Sequence, residues 1–553
     1  MPSWKNKLLF VSGALLTGML LGPKPGAAQT WGNYGGNAQH TAISTVASQS
    51  LNTIRWQTPV DLHPQFSGND LLIHYGSPLV STKNTILVPV KTGTNDGFRV
   101  QAFNGANGAL LWQTDSNYSL PSHNWTPSFS PTLTASGRLY MAGAGGTVLY
   151  RDNVDTAGSV APSQVVFYGS SAYSANSAAF NSSIQICTPL TSDAQGNVYF
   201  GFRSDGTNPL SLQSGIARIT ADGTPTYTSI ATLTGGAASQ ALMNSAPAIS
   251  SDGKTLYVVA GTGTGVSAGY LVAVDAGTLQ QKSQVLLMDP GSGNNAANLF
   301  EDGTASPTIG PDGSVYFGVL ENPFHSSKGW LLHFNADLSV TGTPGGFGWD
   351  DTASIVPASM VASYHGTSAY LLMTKYNNYA GSGGDGVNKL AILDPNDTQI
   401  DSRTGVTVMK EVLTIAGVTP DPEFSSAISG AVREWCINTT VVDPFTNSIL
   451  ANSEDGKLYR WDLSTNTFTE SITLTSGIGE AYTPTFIGAD GTVYAINNAT
   501  LFAIGSNVSA DAPEPGSLLL CLGGIAALGI GRRFRRRSSP NDPRKSGTNP
   551  PGK

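Results

Sequence analysis

The chain has 553 residues, 64 of them Gly and only 12% charged, a composition that suits a turn-rich all-β protein with a large core and excludes a disordered chain. Its net charge is −8, and 11 of the 29 Lys and Arg lie in the first 28 and last 22 residues, so the body between them is strongly acidic and would repel a nucleic acid. Three Cys are too few for a disulfide framework.

Residues 1–28 read as a secretory signal peptide. Lys5 and Lys7 make a positive start, Leu8 to Leu21 is mostly apolar, and Gly26-Ala27-Ala28 puts small residues where cleavage after Ala28 would need them.

From residue 29 to 508 one phrase recurs: a small residue, Pro, an apolar pair, a Gly turn and an apolar-Tyr strand. It reads Ser130-Pro131-Thr132-Leu133 running to Gly137-Arg138-Leu139-Tyr140, and Ser306-Pro307-Thr308-Ile309 running to Gly313-Ser314-Val315-Tyr316. Other copies start at Ser77, Thr188, Ala246, Val356 and Thr483, and a copy at Asn438 lacks the Pro. Such a unit cannot bury its own apolar face, so the period means a stacked or circular array. Within the first copy Pro78–Val80, Thr85–Val90, Phe98–Asn104 and Leu110–Gln113 read as four strands, with Asp-Gly and Asn-Gly pairs as tight turns. Intervals of 45 to 82 residues each hold a four-stranded blade, and the longest carries an insertion around Gly381 to Pro422. The expected fold is an all-β, eight-bladed β-propeller, with seven blades as the alternative.

The eighth copy has no outer strand after Ile504, while Ile54-Arg55-Trp56-Gln57-Thr58 imitates the outer strand Leu110-Leu111-Trp112-Gln113-Thr114. An N-terminal strand is therefore expected to close the ring and remove a sheet edge. Cys187 and Cys436 belong to the third and seventh copies, on opposite sides of such a ring, and are expected as separate buried thiols. The opening Trp31-Gly32-Asn33-Tyr34-Gly35-Gly36-Asn37-Ala38-Gln39-His40-Thr41, with strands such as Val272-Ala273-Val274-Asp275, resembles the PQQ-like β-propeller repeat family over about Trp31 to Ile504. That resemblance raises a quinone-dependent dehydrogenase, whose cofactor sits under a vicinal disulfide with calcium and a catalytic Asp. No adjacent Cys pair exists here, so neither PQQ nor calcium is expected. The same repeats also build non-catalytic scaffolds.

Residues 509–537 hold Pro513-Glu514-Pro515, an apolar stretch from Gly516 to Gly531, and the basic cluster Arg532, Arg533, Arg535, Arg536 and Arg537. By composition this is a short hydrophobic helix with a basic stop on the cytoplasmic side. It also resembles the PEP-CTERM sorting signal. That resemblance implies an exosortase and the secretion machinery as partners, membrane contact through this segment before processing, and delivery to the cell surface or the extracellular space. Residues 538–553 read as a disordered basic tail.

Little chemistry is legible. The seven His show no metal-ligand spacing, no Gly-x-Ser-x-Gly elbow occurs, Gly261 to Gly265 reads as a hairpin loop and His333 as a strand residue, so no catalytic, cofactor or metal residue is assigned. What remains is positional: residues just upstream of the inner strands gather at one mouth of a propeller channel. They include His74, Tyr75, Trp125, Asn244, Asp351, Arg433, Glu434, Glu480 and Tyr482. Convergent aromatic and ionisable groups there suit a sugar or peptide. The expected function is binding or scaffolding at the cell envelope or in extracellular polymer, with polysaccharide or envelope proteins as partners. The alternative is a propeller enzyme, either a quinone-dependent oxidoreductase or a glycan-active one using Glu434, Glu480 or Asp351.

Overall fold

Eight antiparallel sheets follow one another along the chain as the blades of a β-propeller in the computed structural model, which describes residues 31–67, 70–72, 76–94, 96–121, 129–263, 265–300, 303, 305–323, 327–477 and 484–506. Blade 1 comprises Leu79–Val80, Thr85–Lys91, Phe98–Asn104 and Leu110–Ser116, from the axis outward, within a few residues of the strands expected from the repeat. Blade 8 runs Phe486–Ile487, Val493–Asn497, Thr500–Gly505 and then Thr53–Pro59, with Ile54 opposite Ile504 and Gln57 opposite Phe502. The ring is thus zipped by a strand from each end of the domain, and eight blades, not seven, complete it.

The repeated residues have visible jobs. The small residue before each Pro links neighbouring blades around the mouth: Ser77 N donates to Ser130 Oγ at 2.9 Å, Ala246 N to Ser306 Oγ at 2.9 Å, and Ser306 N to Thr352 Oγ1 at 2.9 Å. A bulkier residue there would push the inner strands apart. Pro is tolerated next to it because the innermost strand has an edge facing the channel that needs no ladder donor. The recurrent Tyr of the second strand reaches the hairpin turn of the following blade. Tyr199 donates to Ala276 O at 3.2 Å, Tyr257 to Ala336 O at 2.7 Å, and Tyr494 to Gly105 O at 3.2 Å. Between these polar seams the blade faces pack as one apolar layer, as where Leu79, Phe98 and Trp112 meet Leu139, Val148 and Phe200.

Three features depart from the regular pattern. A helix, Ser170–Asn181, stands between blades 2 and 3, and only Phe180 of its residues is buried. Blade 5 has three strands, Thr308–Ile309, Val315–Val319 and Trp330–Phe334, with only the isolated bridges Leu331↔Gly345 and Phe334↔Thr341 in place of a fourth. Blade 6 has an unusually long outer hairpin, Lys389–Ile400 and Thr407–Ala416, beside Ser354–Pro357 and Tyr370–Tyr376, so most of the residues expected as an insertion are the third and fourth strands of the blade itself.

The segment from Trp31 onward was legible only as a family-like opening, and its path is the main surprise of the fold. Residues 31–49 run around the inside of the ring at the end where the inner strands finish. Trp31 exchanges backbone hydrogen bonds with Val80 of blade 1 at 3.0 Å, Leu133 N of blade 2 donates to Gly32 O at 2.8 Å, and Asn33 Nδ2 donates to Ser192 O of blade 3 at 3.1 Å. Ile249 N, Ile309 N, Ile355 N and Val442 N, of blades 4 to 7, donate to Ala38, Gln39, Thr41 and Ala42 carbonyls at 2.8 to 3.0 Å, and Gln49 N reaches Gly491 O of blade 8 at 2.8 Å. Trp31, Asn33, Tyr34, His40 and Ala42 are buried. The strap floors the channel, leaving its mouth as the end at which the inner strands begin.

Candidate functional site

The mouth residues expected from sequence divide into three groups. His74, Tyr75, Trp125, Glu480 and Tyr482 lie outside the described residues, as do Ala28, Pro513 to Pro515 and the Arg532 to Arg537 cluster. Asn244 stands on the blade 3–4 side of the ring, left-handed at φ 64°, its N–H donating to Cys187 O at 2.9 Å, which makes it a turn residue holding two blades together. Asp351, Arg433 and Glu434 belong to the approaches to blades 6 and 7, and here the structure gathers ionisable groups.

Blade 7 is built of Val441–Asp443, Ser448–Asn452, Lys457–Asp462 and Thr467–Thr473. Its approach, Arg433 to Cys436, is fixed from blade 6: Trp435 N donates to Asn377 Oδ1 at 3.1 Å and Asn377 Nδ2 to Trp435 O at 3.3 Å. The Trp435 ring turns into the core against Tyr459 and Phe468, so this aromatic seals the blade instead of lining the channel. Glu434, Cys436 and Glu454, the last just beyond Ser448–Asn452, come together on the other side, their carboxylate oxygens and sulfur all within 4.8 Å of one another. Glu454 is held in place, since its Oε1 accepts Glu434 N at 3.1 Å and lies 3.5 Å from Arg433 Nη1. Cys436 Sγ donates to the other oxygen, Oε2, at 3.2 Å and lies 4.0 Å from Glu434 Oε2.

Burial and the charge of Glu454 push the Glu434 carboxyl up to about 8, and burial raises Glu454 as well. On the adjoining approach, burial pushes the Asp351 carboxyl up to about 7, although Thr374 Oγ1 donates to its Oδ2 at 2.5 Å and Lys375 attracts its charge. Tyr34 rises from the strap to meet this side, its hydroxyl 3.2 Å from Thr352 Oγ1. The mouth therefore concentrates buried acids against few cations, with a thiol among them. Sequence reading found Asp351, Arg433 and Glu434 from their position before inner strands. It missed Glu454, which follows a second strand, and it read Cys436 only as a free buried thiol. Cys187 and Cys436 are both buried and not joined in a disulfide, as expected. His333 is a strand residue stacked on Tyr316, also as expected.

Comparison with known proteins adds an address and a fold. Residues 511–537 match the PEP-CTERM protein-sorting motif, which marks an exported protein sorted to the cell surface and processed by an exosortase. No curated protein matches the chain. Among solved structures, a europium-containing methanol dehydrogenase is similar over 86% of this chain and 90% of its own, at 11% identity and a TM-score of 0.52. A quinohemoprotein alcohol dehydrogenase from Comamonas testosteroni covers 88% of this chain and 82% of its own at 11% identity and a TM-score of 0.47, and BamB from Moraxella catarrhalis covers 83% and 99% at 11% identity and a TM-score of 0.42. At such identity the likeness shows the propeller fold alone. No helix among the described residues is long and apolar enough to cross a membrane, and the apolar stretch from Gly516 to Gly531 lies outside them.

Proposed function

We propose that this exported, surface-sorted propeller is a binding or scaffold protein of the cell envelope or of extracellular polymer, and that its ligand enters at the mouth between blades 6 and 7. One observation carries the reading: the strap floors one end of the channel with hydrogen bonds to all eight blades, while ionisable groups gather at the opposite end, before the inner strands of blades 6 and 7. A floored channel makes a concave platform with ionisable groups converging on it, the usual form of a ligand site. Arg433 and Glu434 are its charged contacts, and the buried Asp351, held by Thr374, supports them from behind. A mouth whose acids outnumber its described cations, Arg433 and Lys375, favours hydroxyl-rich or cationic groups, so neutral or amino-bearing glycans of the surrounding polymer are the first candidates.

A glycan array probed with the purified chain, beside Arg433→Ala and Asp351→Asn variants, tests this. Saturable binding that both variants weaken supports the mouth as the site. Equal binding by all three proteins refutes it, and turnover of a bound glycan would move the chain to the enzymes.

A further inference from the structure

We propose that Glu434, Cys436 and Glu454 form a binding site for a divalent transition metal of the zinc class at the mouth of blade 7. The donor set is mixed, one sulfur and two carboxylates from chain segments 18 residues apart, and it is assembled by tertiary structure alone. Its spacing is close to what a metal needs. Bonds of about 2.0 Å to oxygen and 2.3 Å to sulfur at a tetrahedral angle place the two donors about 3.5 Å apart. The observed separations from sulfur, 3.2 Å to Glu454 and 4.0 Å to Glu434, straddle that figure, and all three donor atoms lie within 4.8 Å, so rotamer adjustment of the two Glu side chains admits an ion.

Two further observations point to a cation. The first is orientation: Glu454 Oε1 is engaged by the Glu434 N–H and by Arg433, which aims Oε2 at the sulfur. Outer contacts of this kind fix a ligand before the metal arrives. The second is the state of Glu434. It is largely withdrawn from water, with the thiol 4.0 Å from its carboxylate, beyond an ordinary hydrogen bond to oxygen, and with Lys375 attracting its charge. With Cys436 deprotonated, the three negative donors are balanced by one divalent ion together with Arg433. Binding then releases the thiol proton to solvent. The sulfur argues against calcium, magnesium or a lanthanide, which take oxygen ligands, and for zinc, cobalt(II) or iron(II). Three protein donors leave a fourth tetrahedral position open toward the mouth, where water or a ligand hydroxyl fits.

The site lies within the proposed binding mouth, but metal titration needs no glycan, so the two readings stand or fall separately. The reduced full chain is titrated with Co²⁺ and followed in the near ultraviolet. A sulfur-to-cobalt charge-transfer band that saturates at one equivalent, is displaced by Zn²⁺ and is absent from Cys436→Ser is the expected result. Glu434→Gln and Glu454→Gln should each weaken Co²⁺ binding about 10- to 100-fold. Because a buried Cys variant can lose its fold, the wild-type chain supplies a second readout: Zn²⁺ should slow alkylation of Cys436, followed by peptide mapping, and leave Cys187 unaffected. No charge-transfer band, or alkylation of Cys436 at the same rate with and without Zn²⁺, overturns the proposal.

Discussion

The two ends of the channel are built on opposite principles. The floor is a single neutral segment whose backbone carbonyls satisfy the inner strands of blade after blade, with Trp31 and His40 buried among them. The mouth is a collection of side chains, Asp351, Arg433, Glu434 and Glu454, with acids kept out of water and short of cations. Backbone hydrogen bonding that spans eight blades serves stability. Buried like charges cost stability, and proteins keep them where binding or chemistry uses them.

The sharpest way to break this contrast is to cut one side chain from each end. Trp31→Ala removes a fully buried ring packed on Phe486 and should cost about 3–5 kcal/mol by denaturant unfolding. Arg433→Ala removes a largely buried cation whose partner Glu454 can take up a proton instead, and should cost about 1–2 kcal/mol. Equal losses would mean that the strap is a passive filler.

Acidity separates the ends by sign. His40 donates Nδ1–H to Pro307 O at 2.7 Å, and burial lowers its pKa from 6.5 to about 4. Between those values the unfolded chain takes up a proton that the folded chain refuses, so this contribution is complete above pH 6.5 and is lost as the pH falls toward 4. Asp351 runs the other way: its carboxyl rises from 3.8 to about 7, so the folded chain keeps the extra proton and the contribution present below pH 3.8 is lost as the pH climbs to 7. Each is worth on the order of 3 kcal/mol across its window. Unfolding measured at pH 4.5 and 7.5 should show Asp351→Asn gaining stability relative to wild type at the higher pH. His40→Asn, which suits the left-handed backbone at φ 59°, should lose less at the lower one. Parallel pH profiles for all three proteins would remove the distinction.

The smallest effect belongs to the seams shared by both ends. Tyr257→Phe deletes the hydrogen bond to Ala336 O between blades 4 and 5 and should cost about 1 kcal/mol, with no change in the pH profile.

Much of the ring could be read because its signals are local. Asp-Gly turns, the small residue before Pro and the apolar-Tyr strand each act within a blade or on the next one, and Ile54 to Thr58 betrayed ring closure by repeating Leu110 to Thr114. The helix Ser170–Asn181 escaped because it buries one side chain and so carries no apolar stripe. The strap escaped because its bonds are backbone to backbone, and Gly32 or Ala42 bears no mark of the strand it will meet. Glu454 escaped because the pattern that gathers residues at the mouth was sought only before inner strands, whereas this Glu follows a second strand that returns to the same end.

What the sequence determined by itself was therefore the unit, its eightfold count, its closure and its export address, all encoded in residues near one another or in terminal composition. What the tertiary structure decided was which end of the channel is filled and which carboxylates share a site with Cys436. Both are matters of through-space distance between segments that covalent order leaves free, and electrostatic cost is fixed only once burial sets the dielectric around them.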